Sequence, residues 1–115
     1  MYATDDLVVA WTYNEDEGES GTSAAVFVDP TTNQVLATTP LPADATVPVV
    51  LDDAVFFPAQ GGNVNPVVDR ATWTVTATPD YGRYIRASQM AHDGRSIYLI
   101  ADDKDVLVID DQNYE

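Results

Sequence analysis

Short apolar segments follow one another along the whole chain, and polar turn residues separate them. No stretch repeats its apolar residues with the roughly 3.6-residue period of a helix. The segments are rich in Val, Ile, Thr and aromatic residues, which favour strands, and Asp, Asn, Gly and Pro stand between them. The pattern predicts an all-β, antiparallel chain with ten strands, at Leu7–Tyr13, Ala24–Asp29, Gln34–Thr39, Val47–Leu51, Ala54–Ala59, Asn63–Asp69, Thr72–Thr78, Ile85–Ala91, Ser96–Ala101 and Asp105–Asp110.

Turn and breaker residues refine this prediction. Asp93-Gly94 is a hairpin signal, because both residue types tolerate a positive φ. Pro58 and Pro66 fall inside predicted strands, and a proline cannot donate to a strand ladder, so we expect an edge or a bulge at each. The side chains of the neighbouring residues Phe56 and Phe57 must point to opposite faces of their strand. We expect one of these rings to pack between sheets and the other to pack against another layer.

The segments recur at a nearly constant spacing along the chain. Asp29, Asp69 and Asp110 mark the recurrence, since each stands directly after a Val or Ile at the end of a predicted strand. Four short antiparallel strands per unit of about 40 residues are typical of a β-propeller blade. We therefore predict four-stranded propeller blades, about two and a half of them, in one partial domain with units at about 5–41, 45–79 and 84–115. The first unit lacks its opening strand in this prediction, and the third stops before its last strand.

The recurring aspartates have a structural interpretation. An Asp that ends a strand can accept hydrogen bonds from the backbone of the turn that follows it, as in an Asx-turn. We expect this role for Asp29, Asp69 and Asp110. A closed propeller needs at least four blades, or about 160 residues at this period. The sequence therefore predicts an open fragment of a longer repeat protein, with a ring of several chains or a small open stack of sheets as the alternatives.

Two tracts carry a family resemblance. Residues 92–110 run from Asp93-Gly94 through Ile97-Tyr98-Leu99 to a Val-Ile-Asp ending, and residues 26–38 continue in the same manner through Asp29 to Ala-Thr. They resemble the YVTN-type repeat, a WD-like and quinoprotein-like propeller repeat. The chain departs from that repeat at His92, where the family usually has Pro, and in its second unit, which has no Asp-Gly turn.

The resemblance implies a function as well as a fold. It implies a seven-bladed or similar propeller that binds a protein or a small ligand through its loops, without catalysis. The alternative is a fragment of a propeller enzyme, a quinoprotein-like dehydrogenase or a hydrolase, whose active site lies outside this chain. Relatives with this repeat are often exported, so the resemblance also implies an extracytoplasmic or cell-surface location. The first residues carry no signal-peptide pattern.

The amino-acid composition limits which classes of binding partner are expected. The 19 acidic residues outnumber the 5 Lys and Arg residues and give a net charge of −14. A surface this negative repels phosphate backbones and anionic lipid, so we expect no nucleic acid partner and no membrane insertion. An acidic surface with almost no lysine resembles that of proteins from salt-loving organisms, although an ordinary acidic protein is the alternative. The absence of Cys excludes disulfides and thiolate chemistry.

Few residues are candidates for metal binding or catalysis. Asn14, Asp16 and Glu19 lie in an acidic loop that offers oxygen ligands to calcium, although the loop does not match the EF-hand spacing. Solvated surface charge is the competing interpretation. The single histidine, His92, precedes an Asp-Gly turn and is interpreted as a turn residue. We therefore predict no catalytic residues and no cofactor other than weakly bound calcium, and we expect further blades or self-association among the partners.

Overall fold

The fold is known from a computed structural model, which describes residues 1–12, 23–42, 47–59, 64–82, 85–92, 96–101 and 105–115, with the backbone alone at 86–92. These residues form strands and turns. The strands are β1 (Tyr2–Ala3), β2 (Val8–Trp11), β3 (Ser23–Asp29), β4 (Gln34–Leu41), β5 (Val49–Val50), β6 (Ala54–Phe56), β7 (Val67–Asp69), β8 (Val75–Ala77), β9 (Ile85–His92), β10 (Ser96–Ala101) and β11 (Val106–Asp110).

The strands build three antiparallel sheets in chain order. The first sheet is β1-β2-β3-β4, the middle sheet is β5-β6-β7-β8, and the third sheet is β9-β10-β11. The predicted fold class is therefore confirmed: the described chain is all-β, in antiparallel meanders of up to four strands, consistent with blades of a propeller. No helix long and apolar enough to cross a membrane occurs in the described part of the chain.

The first sheet has an opening strand, and the prediction that it lacks one was wrong. Tyr2 and Ala3 pair with Val9 and Val8 of β2. A tight turn joins the two strands, because the N–H of Thr4 donates to the carbonyl of Leu7 at 2.8 Å. A two-residue strand is too short to show alternation, which is why the hydrophobic pattern does not predict it.

The two prolines lie just outside the strands that were predicted to contain them. β6 ends at Phe56 and β7 begins at Val67, so Pro58 and Pro66 follow and precede the ladder. One further backbone bond joins the two segments, since the N–H of Phe57 donates to the carbonyl of Pro66 at 2.8 Å. Side-chain bonding continues from there, because Asn65 is fully buried and its Oδ1 accepts from the N–H of Ala59 at 2.8 Å. The same amide donates through Nδ2 to the carbonyl of residue 79 at 2.9 Å.

The repeat extends to the irregularities of the sheets. The register between β3 and β4 shifts so that Leu36 is an extra residue, and the register between β7 and β8 shifts so that Thr76 is an extra residue. These two bulge residues stand one repeat apart, as Asp29 and Asp69 do. A bulge is a local feature of strand pairing. Its recurrence at the repeat period shows that the first and middle sheets share one construction.

Apolar packing holds the first and middle sheets together. Phe57 points from the end of β6 into this interface and lies edge-on to Phe27 of the first sheet, with ring centroids 6.3 Å apart. Both rings are fully buried. The core between these two sheets comprises Leu7, Val9, Ala25, Phe27 and Leu41 from the first sheet, and Val55, Phe57 and Val68 from the middle sheet.

A second core joins the middle sheet to the third. Phe56 is also fully buried, on the face opposite Phe57. This core comprises Val49, Leu51, Ala54, Phe56 and Val67 from the middle sheet, and Ile85, Ile97, Leu99 and Ile109 from the third. The two rings point to opposite faces as predicted, and the second layer is a further sheet of the same kind. The three sheets therefore form one stack, 41 × 37 × 22 Å in extent.

Candidate functional site

One turn recurs at the same edge of all three sheets, after β3, β7 and β11. Asp29, Asp69 and Asp110 end these strands, and each carboxylate Oδ1 accepts the backbone N–H two residues later, at 2.8, 2.6 and 2.7 Å respectively. Each aspartate's backbone carbonyl accepts the N–H four residues later, at 2.8, 2.7 and 2.8 Å. The edge of the stack that carries these turns is called the turn edge below.

The last residue of each turn has a left-handed backbone. Asn33, Trp73 and Tyr114 have φ of 60°, 57° and 61°. Asn tolerates this conformation, whereas it is unfavourable for bulky side chains such as Trp and Tyr. Packing offsets the strain, because Trp73 lies 4.6 Å from Phe27 of the first sheet and Tyr114 stacks on Phe56 of the middle sheet at 5.5 Å. Each aromatic turn residue thus contacts the sheet before its own.

Arg70 bonds to residues of both the first and the middle sheet at the turn edge. Its Nη1 donates to the carbonyl of Leu51 at 2.7 Å, and its Nη2 pairs with Oδ2 of Asp6 in the first sheet at 3.2 Å. Its own N–H donates to the carbonyl of Asp53 at 2.9 Å. The hydroxyl of Thr4 and the guanidinium of Arg70 hold the pKa of Asp6 below its usual value. The guanidinium therefore spans the opening turns of two sheets.

A groove opens at the turn edge between the middle and third sheets. Its volume is about 630 Å³. Its lining includes Asp52 and Asp53 from the middle sheet, Asp111 from the third, the half-buried Tyr114 and the buried Val67. The remaining lining residues are Ala54, Asp69, Arg70, Ala71, Thr76 and Gln112. We call this the acidic groove.

The environment of Tyr114 is both apolar and negative. Burial, followed by the charges of Asp53 and Asp111, raises the pKa of Tyr114 to about 12. Its phenol is therefore neutral across the physiological range. Burial and the neighbouring Tyr114 also raise the pKa of Tyr81, whose hydroxyl donates to the carbonyl of Tyr114 at 3.0 Å. A second groove, of about 520 Å³, is lined by Tyr81 and Tyr114 among other residues.

The acidic groove is equipped for binding. Carboxylates above an apolar surface suit a ligand with a cationic head on an apolar stem, because the stem packs while the head pairs. The hydroxyl of Thr76, another lining residue, donates to the carbonyl of Val67 at 3.4 Å. Within the described residues, no cluster of three or more His, Cys, Asp or Glu side chains is arranged to hold a metal ion.

The residues predicted from the sequence divide into two groups. Asp29, Asp69 and Asp110 lie at the turn edge in the geometry given above, and Asp69 also lines the acidic groove. The calcium candidates Asn14, Asp16 and Glu19 and the hairpin residues Asp93 and Gly94 lie outside the described residues. The structure therefore brings one predicted residue to the groove.

Several residues of the turn edge were not predicted. Arg70, Trp73 and Tyr114 acquire their roles from contacts between sheets, which a single sequence does not display. A signal does exist, since Trp73 and Tyr114 each follow a repeat aspartate by four residues. An aromatic residue at a fixed distance from a repeated Asp indicates a packing position in the turn.

Comparison with known proteins gives no relative: no protein-family model matches the chain, and no curated protein matches it.

We expect Asp69→Ala to destabilise the chain by about 1–2 kcal/mol, because two backbone donors of the turn, Ala71 and Thr72, lose their acceptor. Asp69→Asn keeps an oxygen at the same place and should retain most of the stability. Urea unfolding of both variants measures the difference.

The matched control is Asp5→Ala, which removes an exposed aspartate at the tip of the β1–β2 turn. It should change the unfolding free energy by less than about 0.5 kcal/mol. Equal stability of Asp69→Ala and Asp69→Asn would contradict the turn's role, since both remove the same charge.

Proposed function

We propose that this chain is a non-catalytic binding module, a section of a YVTN-like propeller that recognises a cationic segment of a partner protein at its turn edge. The acidic groove carries the proposal, because aspartates from two sheets line it together with Tyr114. Such a groove accepts a Lys or Arg side chain along its whole length. The repeat supports the family assignment, because the aspartate turn, the bulge and the strand order all recur.

Partner chemistry follows from the position of the charges. The opening turn of the middle sheet places Asp52 and Asp53 in exposed positions at the mouth of the groove. Arg70, the one cation in the described lining, is already bonded to Leu51 and Asp6. The guanidinium therefore leaves the groove's net charge negative. A cationic peptide is attracted to such a site, and an anionic one is repelled.

Binding is tested with a lysine- and arginine-rich peptide of about ten residues, which is long enough in extended form to cross the turn edge. Its charge-reversed counterpart, with Glu at each basic position, serves as the negative probe. Amide chemical shifts should change around Asp53, Gln112 and Tyr114 on titration with the basic peptide. The double variant Asp53→Asn/Asp111→Asn should weaken binding roughly three- to tenfold.

The control for this experiment is Asp5→Asn/Asp105→Asn, which makes the same change in net charge at two exposed aspartates outside the groove. It should bind as the parent does. Equal weakening by both double variants would show that the peptide responds only to the general negative field, and absence of binding would contradict the proposed function.

We also propose that the fold of this module is more stable at high ionic strength than in dilute buffer. The support is the acidic composition, since a charge of −14 on 115 residues repels itself in dilute buffer. In molar salt the Debye length falls to about 3 Å and this repulsion is screened. The thermal unfolding midpoint should therefore rise between about 0.05 M and about 2 M NaCl. A midpoint that is unchanged or falls would overturn this proposal.

A further inference from the structure

The outer face of the first sheet is largely apolar, and its residues are half-buried or exposed. Alternation along β2, β3 and β4 places on this face the residues that do not enter the core with the middle sheet. Val35, one of these residues, has 61% of its surface exposed. The members of this front end face are Ala3, Val8, Ala10, Ala24, Val26, Val28, Val35, Thr38 and Pro40.

The outer face of the third sheet has the same character. Alternation along β10 and β11 directs Ile97, Leu99 and Ile109 into the core and their neighbours outward. Val106 and Val108 are 54% and 58% exposed. The members of this rear end face, on the two strands whose side chains are described, are Ser96, Tyr98, Ile100, Val106, Val108 and, at the strand end, Asp110.

The repeat shows what fits these two faces. Two residues that lie opposite each other on neighbouring strands form a ladder pair, and their side chains lie on the same face of the sheet. We call a pair front-facing when it points in the direction of the front end face and rear-facing when it points in the direction of the rear end face. In each internal interface, a front-facing pair of one sheet packs against a rear-facing pair of the sheet before it. The front-facing pairs are Val8–Val28, Val55–Val68 and Ile97–Ile109 in the first, middle and third sheets. The rear-facing pairs are Val9–Phe27, Phe56–Val67 and Tyr98–Val108 in the same order.

Among the sheets that the structure describes, none packs against two of these six pairs. They are the front-facing pair of the first sheet and the rear-facing pair of the third. The internal interfaces join the same two kinds of pair, so the chain carries both halves of a third interface of the same construction. These halves lie on opposite ends of one molecule, and they meet when a second copy is placed behind the first.

On the strands whose side chains are described, no charge opposes this contact locally. β2 and β4 contain no charged residue, and β3, β10 and β11 contain none before their terminal residue. The acidic residues of the described strands and turns lie mainly at the strand ends, at the rim of such an interface. The total charge of −14 on each copy still produces long-range repulsion, which salt screens.

We propose that two copies of this chain associate head to tail, with the rear end face of each against the front end face of the other. Such a contact is heterologous, and it forms either a closed ring or an open filament. Two copies supply six sheets, which lies within the four to eight blades of closed propellers, so the ring closes as a dimer. This inference does not depend on ligand binding at the acidic groove.

Sedimentation velocity of the chain in about 2 M NaCl tests the proposal. The expected species has twice the mass of one chain, and its fraction should fall on dilution into low salt. Val35→Asp and Val108→Asp each place a charge on one end face, and each should give a monomer. Both positions are exposed, so circular dichroism should show an unchanged strand signal.

The control is Val47→Asp, the same substitution at a valine that is 38% exposed and lies outside both end faces. It should dimerise as the parent does. A mixture of the Val35→Asp and Val108→Asp chains retains one intact interface, so a heterodimer should form at raised concentration. A dimer that survives either end-face variant alone would overturn the head-to-tail arrangement, as would a monomer at every salt and protein concentration tested.

Discussion

The middle sheet is buried on both faces, and this burial requires the other two sheets to pack where they do. Phe56 and Phe57 are neighbours in sequence, yet each is fully buried against a different sheet. A two-sided sheet of this size cannot be stable in water with either face exposed, because each face carries large apolar side chains. The first and third sheets therefore act as the solvent shield of the middle one, and their own outer faces remain as open copies of the same surface.

The turn edge shows how local chemistry serves this stacking. The repeat aspartate closes a compact turn whose last residue takes a positive φ. In the middle and third sheets that residue is Trp73 or Tyr114, and its ring reaches back to a phenylalanine of the preceding sheet. The first sheet has Asn33 at this position, and Asn adopts the conformation with little strain. Tyr114 then also forms one wall of the acidic groove, so the contact that joins two sheets shapes the proposed binding site.

Much of the fold follows from the sequence, because alternation, turn residues and a regular repeat are local signals. They predict every described strand except β1, and they predict the opposite directions of Phe56 and Phe57. β1 is not predicted because two residues show no periodicity. The Asp-Asp pair at 5–6 nevertheless matches the pair at 52–53, and each pair lies in the turn after the first strand of its sheet. The strands around Pro58 and Pro66 are shorter than predicted, since prolines end the ladder. The sequence does not predict the acidic groove, because its residues from the middle and third sheets come together only when the two sheets pack.

Separate truncation of Phe56 and Phe57 shows whether both faces of the middle sheet are core. Urea unfolding of Phe56→Ala and Phe57→Ala should show losses of about 3–5 kcal/mol for each, with the corresponding Leu variants as milder changes that stay folded. Val47→Ala, at an exposed valine, is the control. Comparable losses are expected for both phenylalanines, in one cooperative transition. A stability unchanged by truncation at either position would contradict it, because that face would then be open to water.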